Sequence, residues 1–386
     1  MSDAEKKEIL EEKLEDSSKE PPDFIPKTIS DQKDIAAALA FLVKDKISSK
    51  KIAIFTHQSP DPDAIASMMG IQWLFRKKYD CDCDLYYQGR ISHPQNNAMD
   101  NLLDPGLKNI EDGWAGDGAY DLHILVDTIP KNAGVGENEI IFDLVVDHHP
   151  DLPDLLPNSN FNGVTINLKA GSCAGTIFRL VEKSDLAFND DIDYDKKVAT
   201  ALIVGIMTDT ENMLSPDTTE HETDAFKALC DCRDVNVLKQ IVFFKRPKFW
   251  IIAKAQAAEE AHYDEEGYCI VGMGNLPTKH WDLLADQADE MVQWDTVHTA
   301  IAFAVIGEDT LVGCVRSTNA SVTVKELCKK LGGKHGTGGG KQGKGRYTYA
   351  LGGLAFLPEE DEETKEETWQ LIAKKERNRI LRVLKK

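Results

Sequence analysis

Carboxylate and imidazole side chains stand at four points of the sequence where an apolar segment ends. They are His57, Asp61, Asp63, Asp127, Asp147, His148, His149 and Asp209. The first three follow the run KIAIFT, the fourth follows LHILV, the Asp-His-His triplet follows IFDLVV, and the last belongs to GIMTDT. Because the carboxyl ends of parallel strands meet at one edge of a sheet, side chains placed there converge on one crevice. We therefore expect these groups to form a single site.

The mixture of carboxylates and imidazoles predicts the chemistry of that site. Several carboxylates within a few ångströms of one another stay ionised only if cations neutralise them, because like charges raise one another's pKa. Oxygen and imidazole ligands without cysteine suit Mn²⁺ better than structural Zn²⁺ or an all-oxygen Ca²⁺ site. Two ions about 3.5–4 Å apart would orient a hydroxide for in-line attack on phosphorus. We predict two divalent metal ions, Mn²⁺ first with Mg²⁺ or Co²⁺ as alternatives, and hydrolysis of a phosphate ester.

Each of these residues also has an ordinary structural interpretation. An Asp that follows a strand is commonly a turn former or a helix N-cap, which applies to both Asp61 and Asp63. A single His is more often hydrogen-bonded than metal-bound. The concurrence of H-x3-D-x-D, a strand-end Asp, D-H-H and a later Asp in one chain favours the site. Asp143 lies inside its strand segment, and we expect it to be structural.

Alternating helices and strands are predicted to position these groups. The first pattern has helices at 34–46, 64–78, 172–182 and 195–207 and strands at 51–56, 84–87, 122–126 and 141–146. Its strands are apolar throughout, which is typical of a parallel sheet covered on both faces. A second pattern has helices at 249–262 and 279–292 and strands at 268–272, 299–305 and 310–315. The predicted fold class is α/β, with a parallel-sheet domain followed by a smaller α/β substrate-binding domain.

Composition and charge exclude several classes of protein. The 386 residues are 42% hydrophobic and 28% charged, as in a soluble globular protein with more than one domain. A net charge of −20 repels long duplex nucleic acid, so a phosphate substrate needs a local positive site or metal ions. No apolar run approaches the roughly 18 residues of a membrane span, and the first residues are charged. We expect no membrane partner and a cytoplasmic location.

The predicted domains differ in composition and in role. They are an acidic tail at 1–30, a catalytic domain at 31–233, a substrate-binding domain at 234–358 and a charged tail or helix at 359–386. In the last segment, Trp369, Ile372, Ile380 and Val383 share one helical face. Such a helix docks on the body of the protein or on a partner subunit, so a homodimer is an open alternative.

Residues 321–350 carry a local positive charge. They hold seven Lys or Arg, eight Gly, one His and a single Glu. Glycine lets backbone N–H groups approach a phosphate while the basic side chains supply charge, so we predict an anion cradle, with a solvated loop as the alternative. The spacing of Gly338, Gly343 and Lys344 fits a P-loop. However, Gly345 stands where a Ser or Thr must bind Mg²⁺, and a strand-like RYTY follows instead of a helix, which excludes that interpretation.

The series THQSPDPDAIAS, LVDT, VVDHHP and GIMTDT resembles the four motifs of the DHH phosphoesterases in order and spacing, over about residues 51–229. The resemblance implies one metal ion on His57, Asp61 and a bridging Asp127, and a second on Asp63, Asp127, His148 and Asp209. It implies that Asp147 orients a histidine and that His149 faces the scissile phosphate as a charge stabiliser or proton donor. Within GRISHPQNN (residues 89–97), His93 and Asn97 would line the substrate crevice or hold a loop together.

The stretch that begins Gly332-Gly333-Lys334-His335 resembles the signature GGGHxxAAG of the DHH-associated C-terminal domain. Lys334 replaces the third glycine, and two glycines replace the two alanines. An extra cation beside His335 would strengthen phosphate binding or change which substrate end is accepted. Upstream, Arg316-Ser317 resembles the Arg-Ser pair that precedes this signature. Arg316 would then bind a phosphate with two parallel hydrogen bonds, and a surface salt bridge is its ordinary alternative.

The order of the two domains resembles the nanoRNase and pAp phosphatase branch of the family. It implies hydrolysis of short oligonucleotides (nanoRNA, dinucleotides) or of 3′-phosphoadenosine 5′-phosphate, with catalysis in the first domain and length selection in the second. The alternatives are a RecJ-like single-strand exonuclease, a cyclic-dinucleotide phosphodiesterase, an inorganic pyro- or polyphosphatase, and a non-catalytic nucleotide sensor. The first needs further strand-binding modules, the pyro- and polyphosphatases carry a different second domain, and the complete ligand set disfavours a sensor.

Overall fold

In a computed structural model of the chain, residues 28–46, 50–114, 116–150 and 160–384 are described. They form two compact units. The first extends to Phe244 except for the short segment Ser92–Pro94, and the second comprises that segment and the chain from Lys245 onward. Most of the predicted acidic tail lies outside the described residues. The predicted domain boundary at 233/234 stays a prediction, and the helix that follows it, Val235–Val242, groups with the first unit.

The first unit contains a seven-stranded sheet in which every pairing is parallel. Its strands are β1 (Thr28–Ile29), β2 (Lys51–Phe55), β3 (Asp82–Tyr87), β4 (Leu107–Asn109), β5 (Leu122–Val126), β6 (Phe142–Val146) and β7 (Phe161–Ile166). Its helices are α1 (Ile35–Lys46), α2 (Pro62–Tyr79), α3 (Pro94–Leu103, which begins in the second unit's short segment), α4 (Cys173–Glu182), α5 (Asp193–Asp209), α6 (Glu220–Leu229) and α7 (Val235–Val242).

The strand order β1-β7-β6-β5-β2-β3-β4 explains where a site can form. From β2 the chain continues to β3 and β4 on one side, and it then returns to β5 on the other side. In an open parallel sheet, the crevice at such a reversal, outside the carboxyl ends of the strands, is where ligands bind. Both faces of the central strands are buried, which accounts for their mostly apolar sequences.

The second unit contains a six-stranded mixed sheet of order β12-β13-β11-β10-β9-β8, in which only β9 and β10 pair in parallel among the described strands. Its strands are β8 (His262–Tyr263), β9 (Tyr268–Leu276), β10 (Thr299–Ile306), β11 (Thr310–Ser317), β12 (Gly336–Lys341) and β13 (Lys344–Ala350). Its helices are α8 (Lys248–Glu259), α9 (Asp282–Met291), α10 (Val324–Gly332) and α11 (Glu362–Leu384). The first pair of helices packs on one face of the sheet and the second pair on the other.

The predicted fold class is confirmed: a parallel α/β unit is followed by a smaller α/β unit. The C-terminal helix α11 docks within the second unit, where it buries Trp369, Ile372 and Ile380 of the predicted face. One element within the predicted acidic tail is ordered, because β1 pairs along the edge of β7. The described cysteines are all free thiols. Among the described helices, none combines the length and the apolar composition that a membrane crossing would require.

Candidate metal centre

The six predicted metal ligands gather in the first unit at the carboxyl ends of β2, β5 and β6 and at the end of α5. His57, Asp61 and Asp127 place one possible ligand atom each within 4.8 Å of one another. Asp63, His148 and Asp209 form a second such group. These two groups correspond to the two ligand sets that the family resemblance implied, apart from the shared Asp127.

Asp127 lies between the two groups. Its Oδ2 is 3.8 Å from Nε2 of His57, and its Oδ1 is 3.5 Å from Nε2 of His148. His148 Nε2 is also 3.3 Å from Oδ2 of Asp209, and His57 Nε2 is 3.9 Å from Oδ2 of Asp61. One carboxylate thus presents a different oxygen to each group, which is the arrangement that a bridging ligand requires.

The two histidines are oriented by backbone carbonyl groups. His57 Nδ1 lies 3.0 Å from the carbonyl oxygen of Gln58, and His148 Nδ1 lies 3.3 Å from that of Ala170. An Nδ1–H that donates to a carbonyl leaves the lone pair on Nε2, the tautomer that binds a metal ion. Each Nε2 therefore directs a lone pair toward carboxylate oxygens, an arrangement that a cation between them would stabilise.

Two buried atoms of the predicted ligands lack hydrogen-bond partners within the described part of the chain. Asp127 Oδ1 and His148 Nε2 have no hydrogen-bond partner among the residues that the structure describes. Buried polar atoms are nearly always paired, so each exception requires an explanation. Oxygen and imidazole nitrogen donors suit Mn²⁺ and related divalent ions, and the residues therefore fit a metal centre.

Burial also changes the protonation of this cluster. It raises the pKa of Asp63 and of Asp127 well above the ordinary value, and nearby carboxylates add to both shifts. Burial lowers the pKa of His148, which favours the neutral, metal-binding imidazole. These shifts have the direction expected for ligands whose negative charge is stable only beside a cation.

Asp61 and Asp63 combine a structural role with the predicted one. Asp61 is the N-cap of α2, because its Oδ1 accepts a hydrogen bond from the Ala64 N–H at 3.0 Å, while its other oxygen is the one that faces His57. Asp63 is fully buried, and its two oxygens accept hydrogen bonds from the N–H groups of Cys173 and Ala174 at 2.7 and 2.8 Å. Both side chains are therefore held in place before any ion binds.

The backbone adopts left-handed conformations beside two of the ligands. Asp127 has a φ of 57°, and three consecutive residues after Asp209, Glu211 to Met213, have φ values of 51°, 60° and 68°. Such conformations cost non-glycine residues roughly 1–2 kcal/mol each and persist only where the surrounding structure enforces them. The turn after Asp209 stops α5, so that this carboxylate lies at the helix end.

Asp147 and His149 lie beside the ligands. The His149 Nδ1 is 2.8 Å from Asp147 Oδ1, and the same oxygen accepts the His148 N–H at 2.8 Å. Asp147 is fully buried, whereas the His149 side chain is 51% exposed. The carboxylate therefore fixes the orientation of an imidazole whose other nitrogen can reach a substrate. Asp143 plays the expected structural role, since it accepts the His123 backbone N–H at 3.0 Å.

Sequence reasoning missed Glu222, which stabilises a loop that contacts these ligands. This loop, residues 167–174, hydrogen-bonds to the His149 carbonyl through Asn167 and supplies the contacts to His148 and Asp63 described above. The fully buried Glu222 accepts hydrogen bonds from the N–H groups of Gly171 and Ser172. Its other oxygen closes a capping box with Thr219. The T-x-x-E spacing was the available sequence signal.

The predicted substrate residues are distributed over both units. His93 groups with the second unit, where its ring lies 5.7 Å from that of Trp250, whereas Asn97 belongs to the first unit. Arg316 binds Asp289 through two hydrogen bonds of 2.5 and 3.1 Å. The Ser317 hydroxyl lies 2.8 Å from that of Thr299.

The predicted glycine signature marks the end of α10. Gly332 ends the helix and Gly333 follows with a φ of 67°, a conformation that favours glycine. Lys334 and His335 are exposed. The next residues form the β12–β13 hairpin, which lines a cavity of about 610 Å³. Of the predicted substrate residues, only Arg316 is among the described residues that line this cavity, and sequence reasoning missed Trp281 and Arg346 there.

Comparison with known proteins identifies the first unit. Residues 51–206 match the DHH family, N-terminal domain, so the chain carries a DHH family domain. Members of this family are metal-dependent phosphoesterases. A solved exopolyphosphatase-related protein from Bacteroides fragilis shares the fold, with a TM-score of 0.61, 14% identity, and coverage of 91% of this chain and 98% of that one.

Curated relatives, among them the following two, also match at the sequence level. The uncharacterized protein MJ1633 of Methanocaldococcus jannaschii is 26% identical over 333 residues, which are 86% of this chain and 64% of that protein. A probable manganese-dependent inorganic pyrophosphatase of Streptococcus equi subsp. zooepidemicus is 26% identical over 175 residues, which are 45% of this chain and 52% of that one. The matched region thus spans between half and two thirds of each relative.

Proposed function

We propose that this protein is a metal-dependent phosphoesterase that hydrolyses short oligonucleotides, such as nanoRNA and dinucleotides, or 3′-phosphoadenosine 5′-phosphate. The observation that carries the proposal is the Asp127 carboxylate, which directs one oxygen to His57 and the other to His148. Two groups of ligands joined by one carboxylate favour a pair of divalent ions. The manganese-dependent relative supports Mn²⁺ as the first choice.

Each residue of the centre has a role in this proposal. One ion would be held by His57, Asp61 and Asp127, and the other by Asp63, Asp127, His148 and Asp209. When bound, the ions would polarise a phosphoryl oxygen and activate a water nucleophile. Asp147 accepts the Nδ1–H of His149 and so stabilises the protonated imidazole. We assign His149 the donation of a proton from Nε2 to the leaving oxygen, because its side chain is half exposed while its partner is buried.

We assign the binding of the substrate to the predicted domain at 234–358, most of which lies in the second unit. Although the protein is acidic overall, this unit has a glycine-rich hairpin whose Lys341, Lys344 and Arg346 line a cavity. Arg316 already forms a two-point ion pair with Asp289, so a substrate phosphate would have to share or replace that carboxylate. His335 and Lys334 are exposed and are proposed to contact a terminal phosphate.

Hydrolysis of inorganic pyrophosphate or polyphosphate is the second candidate. The match to a probable inorganic pyrophosphatase favours it, but that match covers only 45% of this chain. The two candidates require different features of the second unit, since an inorganic substrate has no base or sugar to bind.

A substrate panel tests the proposal. The purified full chain with Mn²⁺ is incubated with 3′-phosphoadenosine 5′-phosphate, di- to hexanucleotides, cyclic dinucleotides, pyrophosphate and polyphosphate, and kcat/KM values are ranked. We expect metal-dependent turnover with the highest kcat/KM for the bisphosphate nucleotide or the shortest oligonucleotides. The matched control is His149→Ala, which should lower kcat while leaving both ligand groups intact. Highest kcat/KM for pyrophosphate would establish the second candidate, and no turnover of any substrate would contradict both.

A further inference from the structure

The cavity of the second unit contains a feature that phosphate binding does not require. We propose that Trp281 and Arg346 form a stacking platform for a nucleobase and that the neighbouring lysines bind the phosphate of the same nucleotide. The inference rests on the proposed function and names the part of the substrate that this unit recognises. It assigns the cavity to a nucleotide and not to an inorganic phosphate chain.

Two flat side chains lie against each other at this cavity. The guanidinium carbon of Arg346 is 4.3 Å from the centroid of the Trp281 ring. Arg346 projects from β13 and is exposed, and Trp281 directly precedes α9 and is half-buried. Proteins bind unpaired bases by stacking them on aromatic rings and on arginine planes, which requires such accessible flat surfaces.

The strand beside Arg346 leaves space for a ring. In the antiparallel pairing of β12 with β13, Gly339 lies directly opposite Arg346. A side chain at Gly338 or Gly340 would collide with backbone oxygens at 2.0 and 2.3 Å, so packing requires glycine at both positions. A Cβ at Gly339 would meet no atom within 4 Å. Packing therefore does not explain this glycine, whereas an open cavity beside the platform does.

The charge of the cavity suits the phosphate of a nucleotide. Arg316, Lys341, Lys344 and Arg346 line it, and Asp282 is the one acidic residue among the described lining residues. The Asp282 carboxylate accepts a hydrogen bond from Ser92. The volume of about 610 Å³ lies within the range of small-molecule sites, roughly 300–1,000 Å³. Pyrophosphate has no flat apolar surface and would make no use of the indole ring.

Calorimetric titration of the full chain tests the inference without relying on turnover. The probes are adenosine 5′-monophosphate and ribose 5-phosphate, which share the sugar and phosphate and differ in the base. We expect the wild-type protein to bind the nucleotide about 5- to 150-fold more tightly, the range associated with stacking of one base. Trp281→Leu and Gly339→Val should abolish this preference and leave the binding of ribose 5-phosphate unchanged. Gly339→Val keeps the test valid if the Trp281 variant fails to fold.

Trp294→Leu is the matched control. Trp294 is a half-buried tryptophan of the same unit that packs near Tyr263, with ring centroids 6.0 Å apart, and it does not line the cavity. This variant should keep the preference for the nucleotide. Equal affinity of the wild-type protein for both probes, or an unchanged preference in Gly339→Val, would overturn the inference. Failure of the substrate panel would instead contradict the proposed function of the first unit, so the two failures are distinguishable.

Discussion

Glu222 offers a test of how the metal centre is held, because it touches no predicted ligand. Its Oε1 accepts hydrogen bonds from the N–H groups of Gly171 and Ser172 at 3.0 and 3.3 Å. Its Oε2 accepts hydrogen bonds from the N–H and the hydroxyl of Thr219, both at 2.8 Å. Replacing this carboxylate with glutamine keeps the shape but removes the charge and places an NH₂ donor on one side.

The expected loss follows from those contacts. In one orientation of the new amide the buried N–H groups of Gly171 and Ser172 lose their acceptor, and in the other the partly buried N–H of Thr219 does. Hydrogen bonds to a charged group contribute roughly 1.5–3 kcal/mol, so Glu222→Gln should lower the free energy of unfolding by about 3 kcal/mol. The loop at 167–174 would also lose its anchor, and that loop contacts His148, His149 and Asp63. Loss of residues that orient metal ligands without binding the metal typically weakens metal affinity about 10- to 100-fold.

The assay combines urea unfolding with titration of Mn²⁺ into the folded protein. Glu376→Gln is the matched control. Glu376 is equally buried but lies in the second unit, where it accepts hydrogen bonds from Tyr347, Tyr349 and Arg379. This variant should lose stability without losing affinity for Mn²⁺. Unchanged Mn²⁺ affinity in folded Glu222→Gln, or an equal loss in both variants, would refute the reasoning.

Three further predictions concern the centre and the substrate residues. Asp127→Asn should abolish turnover. The fold and the circular dichroism spectrum should be unchanged, because asparagine tolerates the left-handed conformation at this position. Full activity of this variant would refute the bridging role. Saturating Mn²⁺, at about 100 times its Kd, should raise the Tm of the metal-free protein by roughly 5–10 °C in calorimetry. The Tm of Asp127→Asn should rise less. Equal shifts of Tm in the two proteins would contradict the assignment of Asp127 as a metal ligand. Arg316→Ala and His335→Ala should raise KM for short substrates with little change in kcat, and an unchanged KM would argue against phosphate binding by these groups.

The sequence predicted the first unit well because its signals are local. The strands that carry the ligands, β2, β5 and β6, are mostly apolar and are each followed by a polar ligand, and their alternation with helices favours parallel pairing. Strand 122–126 has the predicted bounds. The helix predicted to end at 207 continues to Asp209. Its end depends on a left-handed turn formed by residues other than glycine, so the sequence gives no glycine signal for it.

The second unit was less predictable because its features depend on distant residues. Glycines weaken a strand signal, so the segment at 336–340 was interpreted as a phosphate-binding stretch and not as β12, whose partner β13 provides the pairing. Trp281 and Arg346 are far apart in sequence, so no local motif predicts the contact between them. Asp289, which binds Arg316, is one of several acidic residues on α9 and carries no sequence signal of its own.

Anomalous scattering from crystals grown with Mn²⁺ is the decisive test of a two-ion centre. We expect two peaks in the first unit, one beside His57 and Asp61 and one beside Asp63 and His148, with Asp127 bonded to both. In crystals of Asp127→Asn, at least one peak should weaken or disappear. Crystals of the wild-type protein with no peak within bonding distance of these side chains would show that they do not form a metal centre.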